Sequence, residues 1–218
     1  LPPETRPPSP TWSMEFGRSY PLDSIHPINE RSREELIEIL SQEGISVEEE
    51  APVEEILDLF PPYIRTMKTK MPKWKRRFIL NNREFWNSHS DSIGNTWLEE
   101  VRKFHDSFQK LEWHVGSDAN RELMAHMIHL RPSGIRVSRM DWIPSLVAMI
   151  QTPIIGPWNR RLSAREAANS QSFPENFEIH EIPSVAYKQF GNSVNVNVVT
   201  NVLEKMIEKL EQSVILQT

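Results

Sequence analysis

The chain has 218 residues, of which 25% are charged and 38% hydrophobic, a balance that supports a buried core and excludes an intrinsically disordered segment. It contains no cysteine, which excludes a disulfide framework and thiolate metal sites and fits a reducing, cytoplasmic setting, while a formal net charge of −5 at pH 7 excludes a uniformly basic nucleic-acid binder. No apolar run approaches the roughly 18 residues of a membrane span, and no signal peptide opens the sequence, so no membrane partner is expected.

Residues 1–27 carry seven prolines (Pro2, Pro3, Pro7, Pro8, Pro10, Pro21 and Pro27). Proline fixes φ and removes a backbone donor, so residues 1–33 are expected to be an extended lead-in outside the core. Ser32 and Glu35 form an S-x-x-E capping box, which predicts a helix over about 33–41 with Leu36, Ile37 and Leu40 as its apolar stripe. A second acidic helix is expected over about 52–59, stopped by Pro61-Pro62, so that 34–60 forms an acidic helical segment. From Glu34 to Asp58 there are ten acidic residues and no Lys or Arg. From Pro61 to Arg83 there are eight basic residues (Arg65, Lys68, Lys70, Lys73, Lys75, Arg76, Arg77 and Arg83) and no Asp or Glu. Asymmetry of this kind says more about partners than the net charge does.

Between Pro72 and Leu130 aromatic and apolar residues recur at helical spacing (Trp86, Trp97, Val101, Phe104, Phe108, Leu111), with Gly94 and Gly116 as breaks. From Ile135 to Ile155 the segments I-R-V-S-R and L-V-A-M-I, bounded by Pro and Gly, predict two or three short strands. Residues 61–156 are taken as one region. Within 157–183, Ser163 and Glu166 form another capping box, so a helix begins at Ala164 and ends before Phe173-Pro174. In 184–218, Val198, Val199, Val202, Leu203, Met206, Ile207 and Leu210 predict an amphipathic helix of about five turns. Its start is open, because Asn195 to Val199 alternate with period two.

Three groups of residues carry candidate chemistry. In G-N-S-V, residues 191–194, Gly191 allows close backbone approach, Asn192 or Ser193 can cap the next helix, and a helix N-terminus favours an anion; the same residues also fit an ordinary capped helix. The block 61–86 interleaves Tyr63, Trp74, Phe78, Phe85 and Trp86 with its cations, and Lys73, Lys75, Arg76 and Arg77 suit phosphate contacts or a solvated helix face. Arg131, Arg136 and Arg139 surround the turn Pro132-Ser133-Gly134, which suits guanine readout in a major groove or a plain surface hairpin. His126 and His129 are three apart on an expected helix but lack a third ligand, so no metal is expected and both are read as a wet face. No G-x-S-x-G elbow supports a hydrolase.

Residues 160–174, R-R-L-S-A-R-E-A-A-N-S-Q-S-F-P, and residues 186–194, A-Y-K-Q-F-G-N-S-V, resemble the last two signature blocks of DNA (cytosine-5)-methyltransferases. R-P-S-G-I-R-V-S-R and P-S-L-V-A-M within 131–156 resemble the recognition region of one bacterial branch of that family, as do F-P-P-Y-I-R-T and S-F-Q-K-L-E-W within 60–113. Asn169, Ser170 and Ser172 depart from the family's pattern. The family's chemistry uses a thiolate in a Pro-Cys block, an acid in a Glu-Asn-Val block and a Gly-rich cofactor turn, none of which occurs here, so no catalytic residue is expected in this chain. The resemblance implies a target-recognition portion of an enzyme that methylates cytosine in double-stranded DNA, with the catalytic lobe carrying the Pro-Cys and Gly-rich blocks elsewhere. A start on Leu rather than Met agrees with that expectation. The resemblance further implies S-adenosyl-L-methionine beside Asn192 and Ser193, with Phe173 lining its pocket, and a structural role for Ser163, Arg165, Glu166 and Gly191. The expected fold is α+β: a largely helical lobe, a few short strands, a long C-terminal helix and no complete doubly wound sheet. Alternatives are a catalytically inactive DNA-binding or regulatory protein derived from that fold, and an unrelated helical binding protein.

Overall fold

The computed structural model describes residues 5–22, 28–67, 69–116, 120–147 and 152–215, which divide between two compact units. The first comprises residues 1–113 with 132–135; the second comprises 114–131 with 136–218.

The first unit contains β1 (Thr11–Trp12), α1 (Arg33–Gln42), α2 (Val53–Asp58), α3 (Pro62–Arg65), α4 (Lys73–Ile93), α5 (Asn95–Arg102) and most of β2 (Lys110–His114). Helix α1 opens with the expected capping box: Ser32 Oγ accepts from the Glu35 N–H at 3.2 Å, and Glu35 Oε2 accepts from the Ser32 N–H at 2.9 Å. Its stripe is sealed, because Leu36 and Leu40 are fully buried with Tyr20, Ile28, Ile56, Phe60, Ile64 and Ile79. Each such side chain contributes about 1.5–3 kcal/mol on leaving water. Gly94 ends α4 at a φ of +87°, which a residue with a β-carbon disfavours, and α5 starts directly after it.

Only part of the lead-in stays outside the core: residues 5–10 are exposed or half-buried, and the stretch after them enters it. Met14, Phe16, Tyr20 and Leu22 are buried, Phe16 stacks on Trp86 at 5.5 Å, and β1 pairs antiparallel with β2 in the register Thr11↔Leu111, Trp12↔Lys110. The described prolines of the lead-in are exposed or half-buried, and Asn82 on α4 ties Pro10 among them to that core. The fully buried Asn82 amide accepts from the Trp12 N–H at 2.7 Å and donates to the carbonyls of Pro10 (3.3 Å) and Phe78 (2.9 Å). Proline keeps its carbonyl as an acceptor, so one side chain satisfies what the prolines leave unpaired.

The second unit contains β3 (Met127–Arg131), most of β4 (Gly134–Ser138), β5 (Ile154–Ile155), β6 (Arg160–Arg161), α6 (Ala164–Ser170), α7 (Pro183–Asn192) and α8 (Val196–Ile215). Strand β5 pairs antiparallel with β3 (Met127↔Ile155, Ile128↔Ile154) and with β6 (Ile154↔Arg161, Ile155↔Arg160). The helical reading of 72–130 is therefore corrected at 110–114 and 127–131, where pairing with residues distant in sequence overrides local propensity. Of the strand expected over L-V-A-M-I, residues 148–150 lie outside the described residues, and Leu146 and Val147 are not in a strand. The core joins Ile155, Leu162, Ala167, Ala168, Ala186 and Phe190, with Phe173 and Tyr187 against it. The α+β class holds, and no described helix is long and apolar enough to cross a membrane.

Helix α8 has the expected length and apolar stripe, yet every side chain from Asn197 to Ser213 is exposed. Val198, Val199, Val202, Leu203, Met206, Ile207 and Leu210 are between 41 and 64% exposed.

Candidate functional site

The G-N-S-V block joins α7 to α8. Gly191 and Asn192 finish α7, and Ser193 caps it, its hydroxyl donating to the Phe190 carbonyl at 2.8 Å. The cap of α8 is Asn195 rather than Asn192 or Ser193: Asn195 Oδ1 accepts from the Val198 N–H at 3.2 Å, and Asn195 Nδ2 donates to the Ser170 carbonyl at 3.2 Å. The Val196 N–H donates to the Gln171 carbonyl at 2.9 Å. The expectation of a free, anion-seeking helix N-terminus is corrected accordingly, since two of its first three amides are engaged. Asn192 is exposed and makes no side-chain hydrogen bond among the described residues.

Two grooves flank this junction within the second unit. One, of about 650 Å³, is lined by Trp142, Ile143, Leu146, Gln171, Ser193 and Asn195 among others. The other, of about 800 Å³, is lined by Phe173, Phe177, His180, Ile182, Gln189 and Phe190 among others. Ser193 and Phe173 thus belong to separate grooves. Phe173 packs edge-on against Phe190, with centroids 5.4 Å apart. Asn195 and Gln171, which tie the block to the end of α6, were missed at the sequence level; N-x-x-V ahead of the apolar stripe is the signal that marks the cap.

The R-L-S-A-R-E block builds a rigid corner. Ser163 and Glu166 complete the capping box, with the Ser163 N–H donating to Glu166 Oε2 at 2.8 Å. Arg160 donates two bonds of 2.8 Å to the Glu166 carboxylate, which hold its pKa down at about 2. Arg165 reaches the Phe177 carbonyl at 2.9 Å, and Tyr187 donates to the Leu162 carbonyl at 2.8 Å. Arg165 and Glu166 therefore bind the chain to itself.

Among the three candidate base readers, Arg131 at the end of β3 and Arg136 in β4 are half-buried, and exposed Arg139 pairs with Asp141 at 2.6 Å. His126 and His129 are buried, and His129 sits in β3, so the wet helical face expected for them is corrected. No three His, Asp or Glu residues lie in metal-binding geometry among the described residues.

The basic block of the first unit separates into an inner and an outer set. Arg83 is internal: its Nε and Nη2 meet Glu15 Oε2 at 3.0 and 2.9 Å, its Nη1 donates to the Tyr20 carbonyl at 2.9 Å, and its guanidinium lies 4.2 Å from the Tyr20 ring. Glu15 is fully buried, and that burial pushes its carboxyl above the usual range against the pull of Arg83. Arg65 pairs with Asp58, and Lys68 lies outside the described residues. Lys73, Arg76 and Arg77 are exposed in the first turns of α4, Lys75 is half-buried, and the first turn itself carries no acidic residue. Cations at a positive helix end are unfavourable unless an anion joins them. Trp74 stands beside them, 62% exposed.

A family model described as C-5 cytosine-specific DNA methylase matches residues 41–208. The Type II methyltransferase M.AluI of Cellulosimicrobium cellulans is 41% identical over 143 residues, covering 64% of this chain and 27% of that protein. M.BanI of Aneurinibacillus aneurinilyticus, also a Type II methyltransferase, is 47% identical over 148 residues, covering 61% of this chain and 33% of its own length. M.HhaI of Haemophilus parahaemolyticus, another Type II methyltransferase, is 48% identical over 65 residues, or 30% of this chain and 20% of that protein. The chain spans about a quarter to a third of the length of the first two relatives. No solved structure matches it.

Proposed function

Because the chain belongs to the C-5 cytosine-specific DNA methylases, a family of DNA methyltransferases, we propose that it is the target-recognition and closing portion of such an enzyme in a restriction-modification system. The enzyme transfers a methyl group to cytosine in double-stranded DNA, and the nucleophile comes from residues outside these 218, which hold no cysteine. The supporting observation is α8. A helix that follows G-N-S-V and leaves seven aliphatic and methionine side chains 41–64% exposed needs a further body to cover it. That body is the lobe with the Pro-Cys and Gly-rich blocks.

The residues of this chain fit one edge of a cofactor site. Asn192 has an unengaged amide, Ser193 opens on the 650 Å³ groove, and Trp142 offers an apolar wall beside it. S-adenosyl-L-methionine, when bound, supplies the methyl group. Asn192 and Ser193 hold its polar end, while the corner made by Arg160, Ser163 and Glu166 fixes α6 and hence the Gln171 and Ser170 carbonyls that anchor α8. Phe173, expected to line the cofactor pocket, lies on the 800 Å³ groove rather than the one Ser193 opens on, and acts through Phe190, steadying α7. Arg131, Arg136 and Arg139 are assigned to base readout, and Lys73, Lys75, Arg76 and Arg77 to backbone phosphates.

The test uses the chain joined with its catalytic lobe. Asn192→Ala should raise the KM for S-adenosylmethionine about tenfold, and Arg136→Ala should relax sequence choice by about 1–3 kcal/mol per base pair discriminated. An unchanged KM removes the cofactor edge; unchanged sequence choice removes the reader.

A further inference from the structure

The first unit brings together two lysines and two aromatic rings that lie far apart in sequence. Lys75 Nζ, on α4, stands 4.2 Å from the centre of the Tyr63 ring. Lys110 Nζ, on β2, stands 5.8 Å from the same ring and 5.3 Å from that of Trp12. The two rings are 5.6 Å apart. Both lysines are half-buried, and among the described residues neither makes an ion pair. The acid with the most influence on Lys75 is Glu15, whose carboxylate is committed to Arg83 and Tyr20.

The cluster is held from behind. The Tyr63 hydroxyl bonds to the Tyr20 hydroxyl at 3.2 Å, and Tyr20 in turn bonds to Glu15, so the ring is fixed to the buried network. Lys110 is set by its pairing with Trp12 and by the close passage of Gly134, where a β-carbon would come within 2.9 Å of Lys110 Cβ. Burial and the charge of Lys110 both press the Lys75 ammonium below its ordinary pKa. Two neighbouring cations that make no ion pair among the described residues repel each other, and an anion between them removes that repulsion.

We propose that Lys75 and Lys110, over the rings of Tyr63 and Trp12, form a binding site for a backbone phosphodiester of duplex DNA. The site rests on the function proposed above and adds to it an anchor blind to sequence, made of residues from β1, α3, α4 and β2. The rings set the ammonium groups by cation–π contact and shield them partly from water, which strengthens their hold on a phosphate.

The experiment measures duplex binding by the full chain, by fluorescence anisotropy from 50 to 300 mM KCl, on several unrelated sequences; those concentrations are about the range over which phosphate contacts titrate out. Lys75→Gln and Lys110→Gln should each weaken binding about tenfold on every sequence and lower the log–log salt slope by about one. Lys75→Met should melt at or above the wild-type temperature, because it removes a charge repelled by Lys110, while still losing affinity. Lys110→Arg should retain binding. A wild-type chain that binds duplex while both Gln variants bind equally well, with the same slope, removes this site and leaves the proposed function standing. Loss confined to one sequence also overturns it. Failure of the wild-type chain to bind any duplex at 50 mM KCl removes the proposed function and this site together. Binding of inorganic phosphate by the wild-type chain that both Gln variants lose, while their duplex binding is unchanged, would assign the pair to a free anion and overturn the anchor.

Discussion

Helices α1 and α8 carry the same kind of apolar stripe, and they differ in what covers it. Leu36 and Leu40 of α1 are fully buried against Tyr20, Phe60 and Ile79, so the first unit completes its own interior. Leu203, Met206, Ile207 and Leu210 of α8 face outward. The lesson is that hydrophobic periodicity reports which face of a helix wants a partner, and does not say where the partner is. In α1 the partner is local; in α8 it is proposed to be another lobe.

The comparison breaks hardest in the interior of the first unit. Arg83→Met strands the Glu15 carboxylate in an apolar surround and should cost about 3–5 kcal/mol in denaturant unfolding. Because burial already raises the Glu15 pKa, protonation relieves that stranded charge, so the loss should shrink as the pH is lowered. The double variant Glu15→Leu/Arg83→Met should recover most of it, and a double variant as unstable as the single would refute the charge explanation. Next in size, Leu36→Ala opens a cavity in a sealed stripe and should cost about 3 kcal/mol.

The corner of the second unit responds less. Glu166→Gln removes the carboxylate charge and one of the two bonds from Arg160 and should cost about 1 kcal/mol, because both groups are partly solvated. The folded-state pKa of about 2 lies below the ordinary carboxylate value, so this stabilisation is whole above that value and is lost as pH falls toward 2. The variant should show a flatter acid limb, and equal acid limbs would exclude the pair as its source. Smallest of all, Leu203→Ala on α8 should change the stability of the isolated chain by less than about 0.5 kcal/mol. A loss near that of Leu36→Ala would show that α8 packs within its own chain.

What could be read from the sequence was whatever is written within a few residues. Both capping boxes formed, the break at Gly94 fell as expected, and α1, α2, α6 and α8 run close to their expected limits, since a cap or a helical stripe is settled by neighbours three and four apart. Contacts between distant residues were not legible. Arg83 belonged by sequence to a basic run, yet a partner 68 residues away draws it inward. The lead-in looked extended because of its prolines, and residues 5–10 are neither helical nor buried, but Met14, Phe16, Tyr20 and Leu22 after them enter the core. His129 followed a helical spacing and ended in a strand, because pairing decides where local preference is weak. In the candidate site, G-N-S-V was legible as a junction, whereas its cap at Asn195 and the Lys75–Lys110 pair required the fold.

The most direct measurement is transfer of labelled methyl from S-adenosylmethionine to duplex DNA by three samples: this chain, a lobe carrying the Pro-Cys and Gly-rich blocks, and the two together. Transfer by the mixture alone, abolished when Leu203 and Ile207 are both changed to Asp, is the predicted result. Transfer by this chain alone, or by the lobe alone at the level of the mixture, would contradict it.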